Sequence, residues 1–513
     1  MKKIFTILLL SGGLLMSGCS DWLDVLPKDK QSTDMYWESS EDVEAILAQG
    51  YSYLRDCVPY IINWGEVRGS SVIVPVRSSS AGLIQNFMVL PSTSSVQWGT
   101  FYQVISMANA VLKYAPSVME KDASYYESRM NSHLTEAYFL RGLSYLYLVR
   151  NFREVPLITE PYVDDAMPTD VPKSSEVEIL EQIKSDVHAA LATDAAKETF
   201  DETWENKGRA TKWALYALMA ETCLWAEEYQ ECITYADYLI NATAPIRPVF
   251  MSASGQWFNM FYPGNSNESI FEIQYDESTY AQNSGSPSKT FAYGNTVTTS
   301  TYIYSEPMTL RLMAEFEQNK NEVNRTYFGS FAGTTYESFP DNGIIWKYSG
   351  MAVDNVEAVR TILDANYIIY RMADVMLMKA EALIRLGGTA NWAEALSIIN
   401  TIRERSGLES RSEVTAENIN ETTEETLLEI LLDERDMEFA VEGKRWYDLL
   451  RYGKQQNFKY KSRFKALIME NNLTAESKWL NSVLDNDNAW FLPIPASDIN
   501  TNSALMQNPY YDN

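Results

Sequence analysis

The sequence is poor in the residues that most often carry chemistry. Only two histidines, His133 and His188, occur in 513 residues, and only four cysteines, Cys19, Cys57, Cys223 and Cys232. No cysteine pair or Cys/His set has metal-ligand spacing, so no metal site and no cofactor is expected. Cys223 and Cys232 read as two small buried residues rather than a bridge. Positive charge is also scarce: 42 Lys plus Arg stand against 69 Asp plus Glu, a net charge of −27. Such a surface repels phosphate backbones and anionic headgroups, which argues against nucleic acid as a partner. No glycine-rich phosphate loop of the Walker or Rossmann kind is found. No apolar run is long enough to span a bilayer.

What is plentiful is aromatic: 32 Tyr, 13 Trp and 19 Phe. Tyr and Trp carry a polar tip on an apolar ring, which suits them to clefts and surfaces as well as cores. The length suffices for a large core without disulfide or metal support.

The first residues have the pattern of an export signal. Lys2 and Lys3 precede the apolar stretches Ile4 to Leu10 and Leu14 to Met16. Small residues Ser17 and Gly18 then lead to Cys19. Met16-Ser17-Gly18-Cys19 resembles a bacterial lipobox, with Met where Leu is commoner. The resemblance implies cleavage before Cys19 and acylation of that cysteine; several acyl chains together give stable membrane attachment. Residues 1–18 are thus expected to be a signal peptide and 19–513 a single domain. Asp21 and Asp24, just after Cys19, resemble the surface-export signal of Bacteroidetes lipoproteins.

Most of the remaining chain has helical period. Val43, Ile46, Leu47, Gly50 and Leu54 mark one helix, Trp98 to Tyr114 a second, and Ser132 to Asn151 a third. Ser175 with Glu178 is a capping box opening a helix to about Leu191. Thr211 to Trp225 with Tyr229 to Asn241 reads as a helical hairpin. Tyr370 to Leu386 with Asn391 to Ser406 reads as another, its first member ended by Gly387-Gly388. Leu427 to Glu442 is a further helix closed by Gly443. Small residues at the crossings (Ala217, Ala220, Ala380, Ala382, Ala393, Ala395) resemble tetratricopeptide units that follow the consensus loosely. The expected fold class is mainly α: a divergent tetratricopeptide-like helical-hairpin scaffold with long irregular loop segments and a few short strands.

Two segments break the helical pattern, Pro59 to Ser95 and Pro245 to Ala365. The second is rich in Gly, Ser, Asn, Thr and aromatics. Long loops on a rigid frame are where binding sites concentrate. A pyranose ring offers an apolar C–H face and a hydroxyl rim, so flat aromatic rings with polar neighbours are suited to it. The candidate ligand residues are Trp64, Arg68 and Arg77 in the first segment. In the second they are Trp257, Tyr275, Tyr280, Tyr293, Tyr302 and Trp346. A glycosidase would need two carboxyl groups flanking a bond. Glu268, Glu272 and Asp276 are the nearest approach to such a set, and with 69 acidic residues solvated surface charge is the better reading of them. No catalytic residue is assigned.

Several blocks, in order, resemble the SusD/RagB family: Trp22-Leu23-Asp24-Val25-Leu26-Pro27-Lys28; Glu136 to Gly142 running to Val155-Pro156-Leu157; and Tyr370 to Asp374 with Lys379 to Ala382. Further on come Asn400 to Gly407, then Glu434 to Phe439 with Glu442 to Leu449, Leu492 to Pro495, and Gln507 to Tyr510. The resemblance implies a binding protein, not an enzyme. It implies a lipid-anchored position in the outer membrane facing outward, and a SusC-like TonB-dependent transporter as partner. The implied ligand is an oligosaccharide or polysaccharide, with peptide as the alternative. Arg435, Glu442, Arg445 and Asp448 are expected to form a buried charged network that is structural, since neither His nor a nucleophile accompanies them.

Overall fold

The computed structural model describes residues 36–69, 71–162, 169–291, 302–318, 325, 345–351, 359–470 and 477–512. Helices carry the architecture. In chain order the main ones are α1 (Ser40–Asp56), α2 (Val58–Glu66), α3 (Gly99–Lys121), α4 (Glu127–Phe152), α5 (Glu176–Ala192), α6 (Lys212–Trp225) and α7 (Tyr229–Ile240), followed by α8 (Met372–Leu386), α9 (Thr389–Arg405), α10 (Glu424–Glu438) and α11 (Arg445–Phe458). Successive helices pack on one another: α1 on α3, α3 on α4, α4 on α5, and further on α6 on α7, α7 on α8, α8 on α9. Strands occur only as three two-stranded antiparallel ladders among the described residues. They pair β1 (Val72–Ile73) with β5 (Ile303–Tyr304), β2 (Val155–Pro156) with β3 (Lys173–Ser174), and β4 (Ser269–Ile273) with β6 (Tyr367–Arg371).

The expected mainly α, hairpin-built fold is therefore observed, and local signals explain much of it. The Ser175 hydroxyl accepts from the Glu178 N–H at 3.3 Å, while the Glu178 carboxylate accepts from the Ser175 N–H at 2.8 Å. That is the reciprocal capping box which opens α5. Ala217, Ala220, Ala380 and Ala382 are fully buried, as small residues at helix crossings should be. Cys57, Cys223 and Cys232 are free and buried.

Several boundaries differ from expectation, among them the starts of α4, at Glu127 rather than Ser132, and of α10, at Glu424 rather than Leu427. α3 continues past Tyr114, through Pro116, to Lys121. The run Tyr367–Arg371 is a strand, so the helix expected from Tyr370 begins at Met372. α10 ends at Glu438, before Gly443. There the Glu66 carboxyl of α2 accepts from the N–H groups of Val441 (3.2 Å) and Gly443 (2.9 Å). Gly443 has φ +72°, and its carbonyl lies against Gly65, where a Cβ would meet that oxygen at 1.8 Å. Glycine is needed on both sides of this contact.

The core is unusually charged. Arg371 donates to Glu268 (3.1 Å), Glu438 (2.6 Å) and Glu442 (2.9 Å), with all four side chains sealed from solvent. Arg405 pairs with the same Glu268 and Glu438, and Lys347 pairs with Glu442. The charged residues expected to be buried together are all buried, but they divide among pairs. Arg435 meets Asp448 and Asp374, Glu442 meets Arg371 and Lys347, and Arg445 meets Asp436. Asp448 and Asp436 lie within the same stretch of chain, whereas Asp374, Arg371 and Lys347 come from distant segments.

A smaller cluster joins α1 to α4. Glu44 of α1 accepts from His133 Nε2 and from Arg209, both at 2.9 Å. Burial pushes the Glu44 carboxyl up, but the His133 hydrogen bond and the Arg209 charge outweigh it and hold it at about 2. A carboxyl with a folded pKa below its unfolded value contributes stability above the unfolded value and loses it as pH falls through the folded one. Glu44→Gln should therefore show a shallower drop in melting temperature than wild type between about pH 5 and pH 2. An equally steep drop in both proteins would show that this contact does not operate in solution.

Candidate functional site: the loop face

The two segments expected to form a ligand site do come together. Val72 pairs with Tyr304 and Ile73 with Ile303. The Tyr302 hydroxyl donates to Asn63 Oδ1 at 2.7 Å. Gly285 lies so close to Pro59 that a Cβ would come within 2.7 Å of its ring, and beside this contact Arg55 of α1 donates from Nη1 to Gln282 Oε1 at 2.9 Å.

Most of the candidate side chains, however, hold this junction together from within. Pro59–Ser95 is less irregular than its composition suggests, because α2 runs to Glu66. Trp64 lies on that helix, fully buried, its Nε1 donating to the Ser95 carbonyl at 2.7 Å and its ring stacked on Phe101. Arg68 is buried as well. It donates to the Trp490 carbonyl (2.9 Å) and Asn151 Oδ1 (2.7 Å), and its guanidinium lies 4.3 Å over Trp446. Burial lowers its pKa to about 10. Trp257 and Trp346 are buried at 1% exposure, and Tyr275 and Tyr302 at 6%. These six residues are corrected from ligand platform to core. Trp64 and Arg68 are drawn inward from α2 and the turn after it, and the rings of Trp257, Tyr275, Tyr302 and Trp346 are buried under their own segment rather than facing out. Tyr293 and Cys19 lie outside the described residues.

Two candidates are exposed. Tyr280 is 68% exposed, at the end of a four-residue helix, Glu277–Tyr280. Asp276 caps that helix by accepting from the Thr279 N–H at 2.8 Å. The backbones of Asp276 and Gln282 then exchange hydrogen bonds in both directions, closing the loop. Ala281 takes the left-handed conformation at φ +54° to make this turn. Arg77 is exposed, one guanidinium nitrogen donating to Asn86 Oδ1 at 3.1 Å. Near it in sequence, Val76 and Leu90 are 60% exposed and Met88 39%. Sequence reasoning missed these three, because an aliphatic side chain in a loop carries no sign of which way it faces.

Glu268 and Glu272 are corrected from solvated surface charge to core, because the strand that carries Glu272 and follows Glu268 is buried throughout. Glu268 is fully buried and paired with Arg371 and Arg405. Glu272 is fully buried, its carboxyl pushed up by that burial and hydrogen-bonded to Asn366 (2.9 Å) and the Asn265 N–H (3.1 Å). Asp276 is the cap just described. No accessible acid–base pair is made from them.

The arrangement is thus that of a helical-hairpin scaffold presenting a junction of two loop segments. Residues 21–224 match the family model described as "Starch-binding associating with outer membrane", and residues 293–511 match that of the SusD family. The chain belongs to the SusD family, a starch- and glycan-binding family. It is 28% identical over 495 residues to SusD-like protein P38 of Formosa agariphila, covering 88% of this chain and 91% of that one. Its fold matches a SusD superfamily protein from Bacteroides thetaiotaomicron with a TM-score of 0.72 at 20% identity, over 93% of this chain and 99% of the other. A laminarin-binding SusD-like protein matches with a TM-score of 0.69 at 21% identity, over 92% of this chain and 100% of the other.

Proposed function

We propose that this chain is a cell-surface lipoprotein that captures an oligosaccharide or polysaccharide and delivers it to a SusC-like TonB-dependent transporter of the outer membrane. It binds its glycan without cleaving it. The observation that carries this reading is the pair of family matches, which follow one another along the chain and one of which is described by starch binding and outer-membrane association. The laminarin-binding relative in fold supports carbohydrate as the ligand class. In this reading residues 1–18 are removed, Cys19 carries the lipid, and 19–513 acts as one domain. Tyr280 and Arg77 are the contact residues proposed for the loop face. A ring such as Tyr280 stacks on a sugar face, and a guanidinium such as Arg77 donates to hydroxyl oxygens.

Gentle solubilisation of native outer membranes, followed by capture of this chain, should recover a large β-barrel transporter with it. Recovery of the chain alone across several mild detergents would contradict the delivery step. Cys19→Ala should leave the protein unattached or retained as precursor. Unchanged membrane partitioning of that variant would exclude the lipid anchor.

A further inference from the structure

Away from the loop face, a concavity of about 470 Å³ is lined by no residue of the two loop segments. One wall is the chain from Pro156 to Tyr162, and scaffold side chains fix its backbone. The Tyr102 hydroxyl donates to the Pro156 carbonyl at 2.9 Å. The Tyr145 hydroxyl donates to the Ile158 carbonyl at 2.9 Å and accepts from the Ile158 N–H at 2.7 Å. Buried Asn109 and Arg141 donate to the carbonyls of Ile158 (3.0 Å) and Thr159 (3.2 Å). The opposite wall is the short helix Ala496–Thr501 and the chain to Leu505. It is tied down by Asn502, which donates to the Val171 carbonyl at 2.8 Å, and by Ser503, which donates to Asp170 at 2.6 Å.

Between these fixed walls Trp98, hydrogen-bonded to Asp498, lines the groove but is 3% exposed. Tyr162 also lines the groove and is 53% exposed. The polar lining includes Thr159, Thr501, Asn502 and Asp498. Among the described residues, no Lys or Arg lines the groove, while Glu160 and Asp498 do. Aromatic surface beside hydroxyl, amide and carboxylate groups matches the two kinds of surface on a sugar ring. Glu160 is paired with Lys113 at 3.3 Å, so Asp498 is the unneutralised charge of the lining, and with no cation among the lining residues it disfavours uronates and sulfated sugars. The volume is within the range of small-ligand pockets, and walls already held in place spare the ordering cost of binding.

We propose that this groove is a second saccharide site, holding one or two neutral pyranose rings of the glycan bound at the loop face. The inference rests on the glycan-binding reading. Two sites on one molecule raise apparent affinity for long chains that reach both, through effective concentration.

Hydrogen–deuterium exchange of the full chain tests it. The neutral probes are the methyl glycosides of glucose, galactose, mannose and xylose, with glucuronate as the anionic control. At least one neutral glycoside should slow exchange in 156–162 and 496–505, and glucuronate should not. Tyr162→Ala should raise the half-saturating concentration for that protection about tenfold with melting temperature unchanged. Asn502→Ala should act in the same direction, and its melting temperature shows whether the wall it ties still holds. No protection of these two segments by any neutral probe overturns the proposal, as does equal protection by glucuronate. Protection confined to 276–282 rejects this groove and leaves glycan capture at the loop face standing. Protection nowhere rejects the groove, and glycan capture is then judged on polysaccharides.

Discussion

Arg371→Ala should be more damaging than alanine at any charged residue it contacts, costing about 3–5 kcal/mol. Arg371 is sealed from solvent and faces three carboxylates, Glu268, Glu438 and Glu442. Its fork also donates to the Glu438 carbonyl at 2.9 Å. Removing it leaves these groups facing Arg405, Lys347 and Arg325, which already serve them and others. An uncompensated carboxylate in such a place is costly to keep ionised. Burial pushes the Glu442 carboxyl up, but Arg371 and then Lys347 outweigh it and hold it below the usual range. In the variant that balance should tip, so Glu442 takes up a proton more readily. Arg371→Lys should recover part of the stability, since it keeps the charge and loses the fork. Thermal melts of the three proteins at neutral pH measure this. An Arg371→Ala protein as stable as wild type would mean that the cluster is hydrated in solution and not a sealed core.

The second large effect separates core from ligand face. Trp64→Ala should cost about 3–5 kcal/mol, as large aromatic truncations in cores do. The ring is fully buried against Phe101 and Phe152, and its N–H has a partner. Tyr280→Ala should leave melting temperature within a degree or so, because two-thirds of the residue is in solvent. Its effect should instead fall on glycan affinity, about ten- to a hundredfold if one ring of the ligand stacks there. Measuring melting temperature and glycan affinity on both variants gives a crossed pattern. If Tyr280→Ala leaves affinity unchanged, the ring is a bystander and the loop face contacts ligand elsewhere.

The contrast between these two residues shows what the sequence could disclose. Helix starts and stops were legible where the signal is local: Ser175 with Glu178, Gly387 after Leu386, the short turn between α6 and α7. The two loop segments were legible as breaks in the helical period, and they do meet. Which way each side chain faces was not. Trp64 and Tyr280 both sat in stretches read as irregular, yet one lies on a helix and packs against Phe101, and the other is the exposed last residue of a four-residue helix. Arg68 and Arg77 are nine positions apart and read alike, but Asn151 and Trp490, far along the chain, draw Arg68 inward. The charged block from Glu434 to Asp448 was read as buried. Its partners Glu268, Arg371 and Asp374 lie in other segments, and pairing over such separations leaves no mark on a single sequence. The second groove went unread for the same reason, since its two walls are more than three hundred residues apart.

Under the proposed function this chain binds a glycan and leaves it intact. Calorimetric titration of the domain that follows Cys19 against a panel of polysaccharides, with product analysis of each mixture, tests it most directly. The account predicts saturable binding to at least one polysaccharide, weakened in Tyr280→Ala, with no shortened product. Heat from none of the panel, or binding accompanied by chain cleavage, would contradict it.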